Sequence, residues 1–112
     1  MSERLVVLTT AGSQEEALEI AGELVRTMLV ACVNVVPGVT SIYRWEGQVA
    51  QDQEWLLIAK TRREVLSELI RLVQELHSYD VPEIVALPLV DGSHSYLRWL
   101  DGEVQGGWHQ VD

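Results

Sequence analysis

Residues 31–61 decide the fold. They contain Ala31-Cys32-Val33-Asn34-Val35-Val36-Pro37-Gly38, then Val39-Thr40-Ser41-Ile42-Tyr43-Arg44-Trp45-Glu46-Gly47-Gln48, and finally Trp55-Leu56-Leu57-Ile58-Ala59-Lys60-Thr61. At the two-residue period of a strand, Ala31, Val33 and Val35 point one way while Cys32, Asn34 and Val36 point the other. Trp55, Leu57 and Ala59 oppose Leu56 and Ile58 in the same manner, so neither face is cleanly polar. A sheet that is apolar on both sides must be covered on both sides. Glu46-Gly47 marks a tight turn between two long strands. Pro37-Gly38 marks a bulge or bend within the first of them. The hairpin is unusually long, and its tip is expected to project beyond the domain body.

Outward from this hairpin, residues 4–10 read as a first strand. Ser13 supplies an N-cap and Glu16, three positions on, completes a capping box. Leu18, Ala21, Val25 and Met28 then recur at helical spacing, with Ile20, Leu24 and Leu29 beside them, predicting a helix over 14–29. A second helix is predicted over 64–76, with Leu66, Leu69, Val73 and Leu76 on one stripe. Val81-Pro82 ends it, a strand follows over 83–89, and a short helix over 94–100. Gly106-Gly107-Trp108-His109 reads as a tail or final edge segment.

The order strand, helix, strand, strand, helix, strand is a ferredoxin-like split βαβ arrangement, an α+β fold in which both main helices cover one face of the sheet. The other face, with Tyr43, Trp45 and Trp55 assigned to it, is a poor surface to leave in water. A second copy of the chain under closed cyclic symmetry is the expected cover.

The chain has 112 residues, enough for one domain with a core of its own, and is 47% hydrophobic. Seventeen acidic residues against eight basic ones give a formal charge of −9, and Lys60 is the sole lysine. That balance opposes nucleic-acid and anionic-membrane binding, both of which need clustered Lys and Arg, and mildly favours cations. Cys32 is the only cysteine, so no disulfide forms within one chain. No apolar run suits a signal peptide or a membrane span, and the cytoplasm is the expected compartment.

Three stretches resemble the CutA family of divalent-cation tolerance proteins: residues 31–47, residues 54–61, and His77-Ser78-Tyr79-Asp80-Val81-Pro82-Glu83-Ile84. Tyr96-Leu97-Arg98-Trp99-Leu100 adds a weaker match, and residues 1–112 read as a single CutA-like domain. The resemblance implies a ferredoxin-like fold built into a stable homotrimer whose hairpins and final segments exchange between subunits. It also implies a cytoplasmic protein associated with copper and other divalent metals. The trimer further resembles PII-type signalling proteins, so a small-molecule-responsive signalling trimer acting through a partner is the alternative.

Each candidate residue has a functional and a structural reading. Cys32 is a soft donor for copper, present three times in a trimer, or a small hydrophobe packed in a strand. His77 ends the second helix, where an imidazolium suits the helix dipole. With Tyr79 and Glu83 it would instead rim an inter-subunit cleft and bind a metal or an anion. Lys60 lies on an apolar strand and either meets a carboxylate, Glu54 from another subunit or Glu83, or snorkels to water. Tyr43, Arg44 and Trp45 offer a ligand platform near the hairpin tip or simply pack there. His94 and His109 lack metal-site spacing. The turn over residues 9–13 lacks a phosphate-binding motif and reads as a capping turn. No nucleophile motif or acid–base pair suggests an enzyme, and no organic cofactor is expected.

Overall fold

Alternation in the first strand, β1 (Arg4–Ala11), sorts the two faces of the sheet. Leu5, Val7, Thr9 and Ala11 are buried, while Val6 and Leu8 between them are only half-buried. The computed structural model describes residues 3–106. In it β1 pairs antiparallel with β3 (Gln48–Arg62) on one side and β4 (Ile84–Pro88) on the other. β3 also pairs antiparallel with β2 (Cys32–Trp45), giving the order β2-β3-β1-β4. This is the ferredoxin-like arrangement that the element order predicts.

The first helix, α1 (Gln14–Arg26), starts where expected. Ser13 Oγ accepts the Glu16 N–H at 3.1 Å. Glu16 does not complete the box; its carboxylate instead accepts the Ser78 N–H at 2.6 Å and the Ser78 hydroxyl at 3.1 Å. The helix ends three residues short of the predicted residue 29. Met28 turns left-handed, at φ 61°. Its N–H reaches the Val25 carbonyl at 3.0 Å, and the Leu29 N–H reaches the Leu24 carbonyl at 3.1 Å. This is a Schellman ending with methionine in the position that glycine usually fills, so nothing in the sequence punctuates it. The buried stripe is Ala17, Ile20, Ala21 and Leu24, whereas Leu18, Val25 and Met28 lie outward. The helix is rotated relative to the predicted stripe because packing against the sheet, not spacing alone, selects the inner face.

Residues 63–65 form a single tight turn before α2 (Leu66–Leu76), which buries Leu69 and Val73. Leu66, Leu72 and Leu76 pack against the same core, which also holds Val7, Ile20, Leu24 and Leu57. Helices α1 and α2 thus cover the Leu5 face of the sheet. Trp55 opposes Ala11 and packs on this covered side, not with Tyr43 and Trp45 as expected.

The opposite face carries Val6, Leu8, Val36, Leu56, Ile58, Val85 and Leu87, as the register dictates. Val36, Val85 and Leu87 are exposed in the single chain. The third helix, α3 (His94–Glu103), runs three residues beyond the predicted 94–100. It lies at one end of the sheet, where Asp101 takes both Arg4 Nε at 2.9 Å and Arg4 NH2 at 2.7 Å. Leu97, Leu100 and Val104 are buried there.

The long hairpin forms as predicted. The register of β2 on β3 shifts between Val36 and Val39, across Pro37-Gly38. Beyond that irregularity the paired strands leave the body as an arm, stretching the molecule to 52 × 25 × 22 Å. Glu46 (φ 51°) and Gly47 (φ 79°) form the two-residue loop between the paired Trp45 and Gln48. From residue 107 on, the expected tail, including His109, lies outside the described residues. No helix among the described residues is long and apolar enough to cross a membrane.

Candidate functional site

Where the arm leaves the body, a groove of about 710 Å³ opens between β2, β3 and the loop from α2 to β4. Strand alternation builds its first wall. Ser41, Tyr43 and Trp45 share one side of β2, and register places Asp52 opposite Ser41 and Glu54 opposite Val39 on the same side. The Tyr43 hydroxyl donates to Asp52, which raises its phenol above the ordinary value.

The second wall is Tyr79, Asp80 and Glu83, and His77 holds it in place. The His77 side chain is fully buried at the C-terminus of α2. Its Nε2 lies 2.6 Å from the Thr10 carbonyl, and its Nδ1 accepts the Tyr79 N–H at 3.1 Å. An acceptor at Nδ1 and a donor at Nε2 define the neutral imidazole, with both nitrogens committed to backbone. The Glu16 carboxylate stands 3.6 Å from Nδ1. The Tyr79 ring lies against the imidazole with centroids 4.6 Å apart, and its hydroxyl donates to Glu54 Oε2 at 2.7 Å. Burial, then that bond to a carboxylate, push the Tyr79 phenol well above its ordinary value. Gly12 provides the room: a Cβ there would lie 2.8 Å from the Tyr79 hydroxyl oxygen.

Among the described residues, four carboxylates line this groove (Asp52, Glu54, Asp80 and Glu83) and no lysine, arginine or histidine does. Such a site attracts cations and repels phosphates and other anions.

Of the residues singled out in the sequence, Trp45, Tyr79 and Glu83 meet here. Lys60 does not. It lies on the open sheet face as the cross-strand partner of Cys32, and within the chain its ammonium donates to Asn34. Cys32 and His77 belong to different ends of the sheet. Cys32 stands opposite Lys60, whereas His77 bonds to Thr10, which stands opposite Leu56. Four residues along β3 separate them by roughly 13 Å. Cys32 Sγ is 3.3 Å from the Tyr96 hydroxyl, a contact that, with burial, pushes the Tyr96 phenol up to about 12. His94 lies 3.0 Å from Arg98 on the exposed side of α3. Among the described residues, no three His, Cys, Asp or Glu side chains gather closely enough to hold a metal ion.

The sequence reading missed Asp52, Glu54 and Asp80 as groove residues. Counting back from the Glu46-Gly47 turn would have set Asp52 opposite Ser41 and Glu54 opposite Val39. No comparable signal marks Asp80.

The fold and groove define a ferredoxin-like α+β protein with an acidic, aromatic cleft beside a projecting hairpin. Residues 5–103 match the family described as CutA1 divalent ion tolerance protein, and the chain belongs to that family. It is 55% identical over 95 residues to the divalent-cation tolerance protein CutA of Thermus thermophilus, covering 85% of this chain and 92% of that one. It is 48% identical over 96 residues to the chloroplastic CutA of Arabidopsis thaliana, covering 86% of this chain but 53% of that longer protein. The crystal structure of CutA1 from Oryza sativa superposes with a TM-score of 0.91 at 43% identity, covering 94% of this chain and 96% of that one.

Proposed function

We propose that this chain serves divalent-cation tolerance as a cytoplasmic homotrimer that binds divalent cations, copper foremost, and catalyses no reaction. The observation that carries the reading is the groove with four carboxylates and no basic residue among the described residues. It raises the local concentration of cations, and it is the wrong sign for an anionic effector. Copper here is cargo, not a resident cofactor. The described residues of one chain supply no complete ligand shell. The Cys32 thiol would provide a soft donor, with symmetry copies or water completing the shell. His77, with both ring nitrogens engaged, enters as the residue that seats Tyr79. Trimer formation is supported by the apolar sheet face of Val36, Val85 and Leu87, which another copy would cover.

Calorimetric titration of the tag-free protein with Cu²⁺, alongside sedimentation at low concentration, tests this. The expected result is a trimer with saturable copper binding that weakens roughly tenfold or more in Cys32→Ser. Copper affinity unchanged in both Cys32→Ser and Glu83→Gln would end the ligand assignment, and a stable folded monomer would end the assembly.

A further inference from the structure

We propose that His77 and Glu16 form a proton-operated latch on the loop between α2 and β4. One imidazole nitrogen keeps its partner in both charge states, and the other changes it. Nε2 donates to the Thr10 carbonyl at 2.6 Å, and a ring N–H does so whether the ring is neutral or charged. Nδ1 accepts the Tyr79 N–H at 3.1 Å, which only the neutral ring can do. A proton taken from water at Nδ1 would set two N–H donors against each other. The Glu16 carboxylate, 13% exposed, stands 3.6 Å from that nitrogen and can accept the new N–H. β1 therefore holds the pivot, and α1 offers the second position.

The loop is built to follow. Residues 78–83 belong to no helix or strand. The Ser78 amide and hydroxyl are held by Glu16, the Tyr79 amide by His77, and the Tyr79 hydroxyl by Glu54. Turning Nδ1–H toward Glu16 removes the acceptor of the Tyr79 amide and makes the imidazolium compete with Ser78 for one carboxylate. Tyr79 then loses the backbone anchor that keeps its hydroxyl on Glu54. Burying an imidazolium is costly, but the groups that face this ring favour the charge. They are Glu16 from α1, the Thr10 carbonyl from β1, the carbonyls at the C-terminus of α2 and, across the Tyr79 ring, Glu54 from β3. The Tyr79 phenol is held above its ordinary value, chiefly by burial, so it keeps its proton while the imidazole changes state. Glu16 and His77 come from α1 and the end of α2, the helices that cover the Leu5 face, and the latch needs no metal.

The test follows the native assembled protein by NMR from about pH 8 to 5, the range in which histidine changes charge. The ring nitrogen shifts report the state of His77, and hydrogen exchange reports the Tyr79 amide. As the ring takes its proton, protection of the Tyr79 amide should fall about tenfold, the loss of one hydrogen bond. In His77→Gln, which has no titrating group there, Tyr79 protection should be the same at both ends of the range. His77 is fully buried, so Glu16→Gln provides a second variant: without the carboxylate, the Tyr79 amide should keep its protection at the acid end. His94→Gln, on the exposed side of α3, is the control and should respond as the native protein does. A ring still neutral at the acid end, or a charged ring with Tyr79 protection unchanged, would overturn the proposal. So would a native-like loss of protection in either His77→Gln or Glu16→Gln.

Discussion

Removal of the Tyr79 hydroxyl tests how the groove wall is held. In Tyr79→Phe the Glu54 carboxylate, nine-tenths buried, loses the 2.7 Å hydrogen bond at Oε2. Hydrogen bonds to charged groups contribute about 1.5–3 kcal/mol, so a loss in that range is expected. Gly12 makes the reasoning sharper. In the native protein a Cβ at Gly12 would lie 2.8 Å from the Tyr79 oxygen, so Gly12→Ala must push the hydroxyl off Glu54 and should cost much of the same amount. Once the oxygen is gone, the nearest remaining atom is Tyr79 Cζ at 3.6 Å, an ordinary contact. In the Tyr79→Phe background Gly12→Ala should therefore be neutral, or stabilising by about 0.4–1 kcal/mol through the unfolded chain. The cycle predicts a coupling of roughly 2 kcal/mol between the two sites. Urea unfolding of the four proteins at one fixed concentration measures it. Additivity within about 0.5 kcal/mol would refute the claim that the hydroxyl is seated by Glu54 against Gly12.

Two further predictions concern the hairpin tip and the tyrosines. Glu46 occupies left-handed backbone at φ 51°, which asparagine tolerates better. Glu46→Asn should raise stability by several tenths of a kcal/mol and Gly47→Val should lower it by about 1–2 kcal/mol, both read by thermal unfolding; an opposite order would refute the turn assignment. All three tyrosines are raised above 10.0: Tyr43 chiefly by its bond to Asp52, Tyr79 chiefly by burial, and Tyr96, up to about 12, chiefly by its bond to Cys32. A raised phenol means that the folded state holds its proton longer, so the associated stability is full below pH 10 and is lost as pH rises through the folded values. A spectrophotometric titration should show well under half of the phenolate signal at pH 10 in the native protein and about half in denaturant; coincident curves would contradict the three environments.

Much of the scaffold was legible because its signals are local. Two-residue alternation fixed the strands, Glu46-Gly47 fixed the hairpin loop, and Pro37-Gly38 announced the register shift between Val36 and Val39. The α1 boundary was not legible, since Met28 adopts a left-handed ending that its side chain does not advertise. The buried stripe of α1 was misread for a related reason: Leu18 and Val25 continue the apolar spacing, yet they lie outside the surface that meets the sheet.

The candidate site divides in the same way. Trp45, Tyr79 and Glu83, singled out in the sequence, line one groove, but its other acidic residues were hidden in the register of the arm and in a loop. Lys60 illustrates the difficulty best. Charge suggested either a carboxylate partner or a route to water, while strand geometry gave it Asn34, two residues from Cys32 on the neighbouring strand.

The amino-acid order by itself set the elements, their sequence along the chain and the presence of a long hairpin, because these follow from periodicity and turn chemistry within a few residues. Only tertiary structure brought Tyr79 to Glu54, seated His77 on the Thr10 carbonyl and gathered four carboxylates around one groove. Those partners are 25 and 67 residues apart. Their meeting is decided by how helices and sheet close over a shared core, which no local pattern encodes.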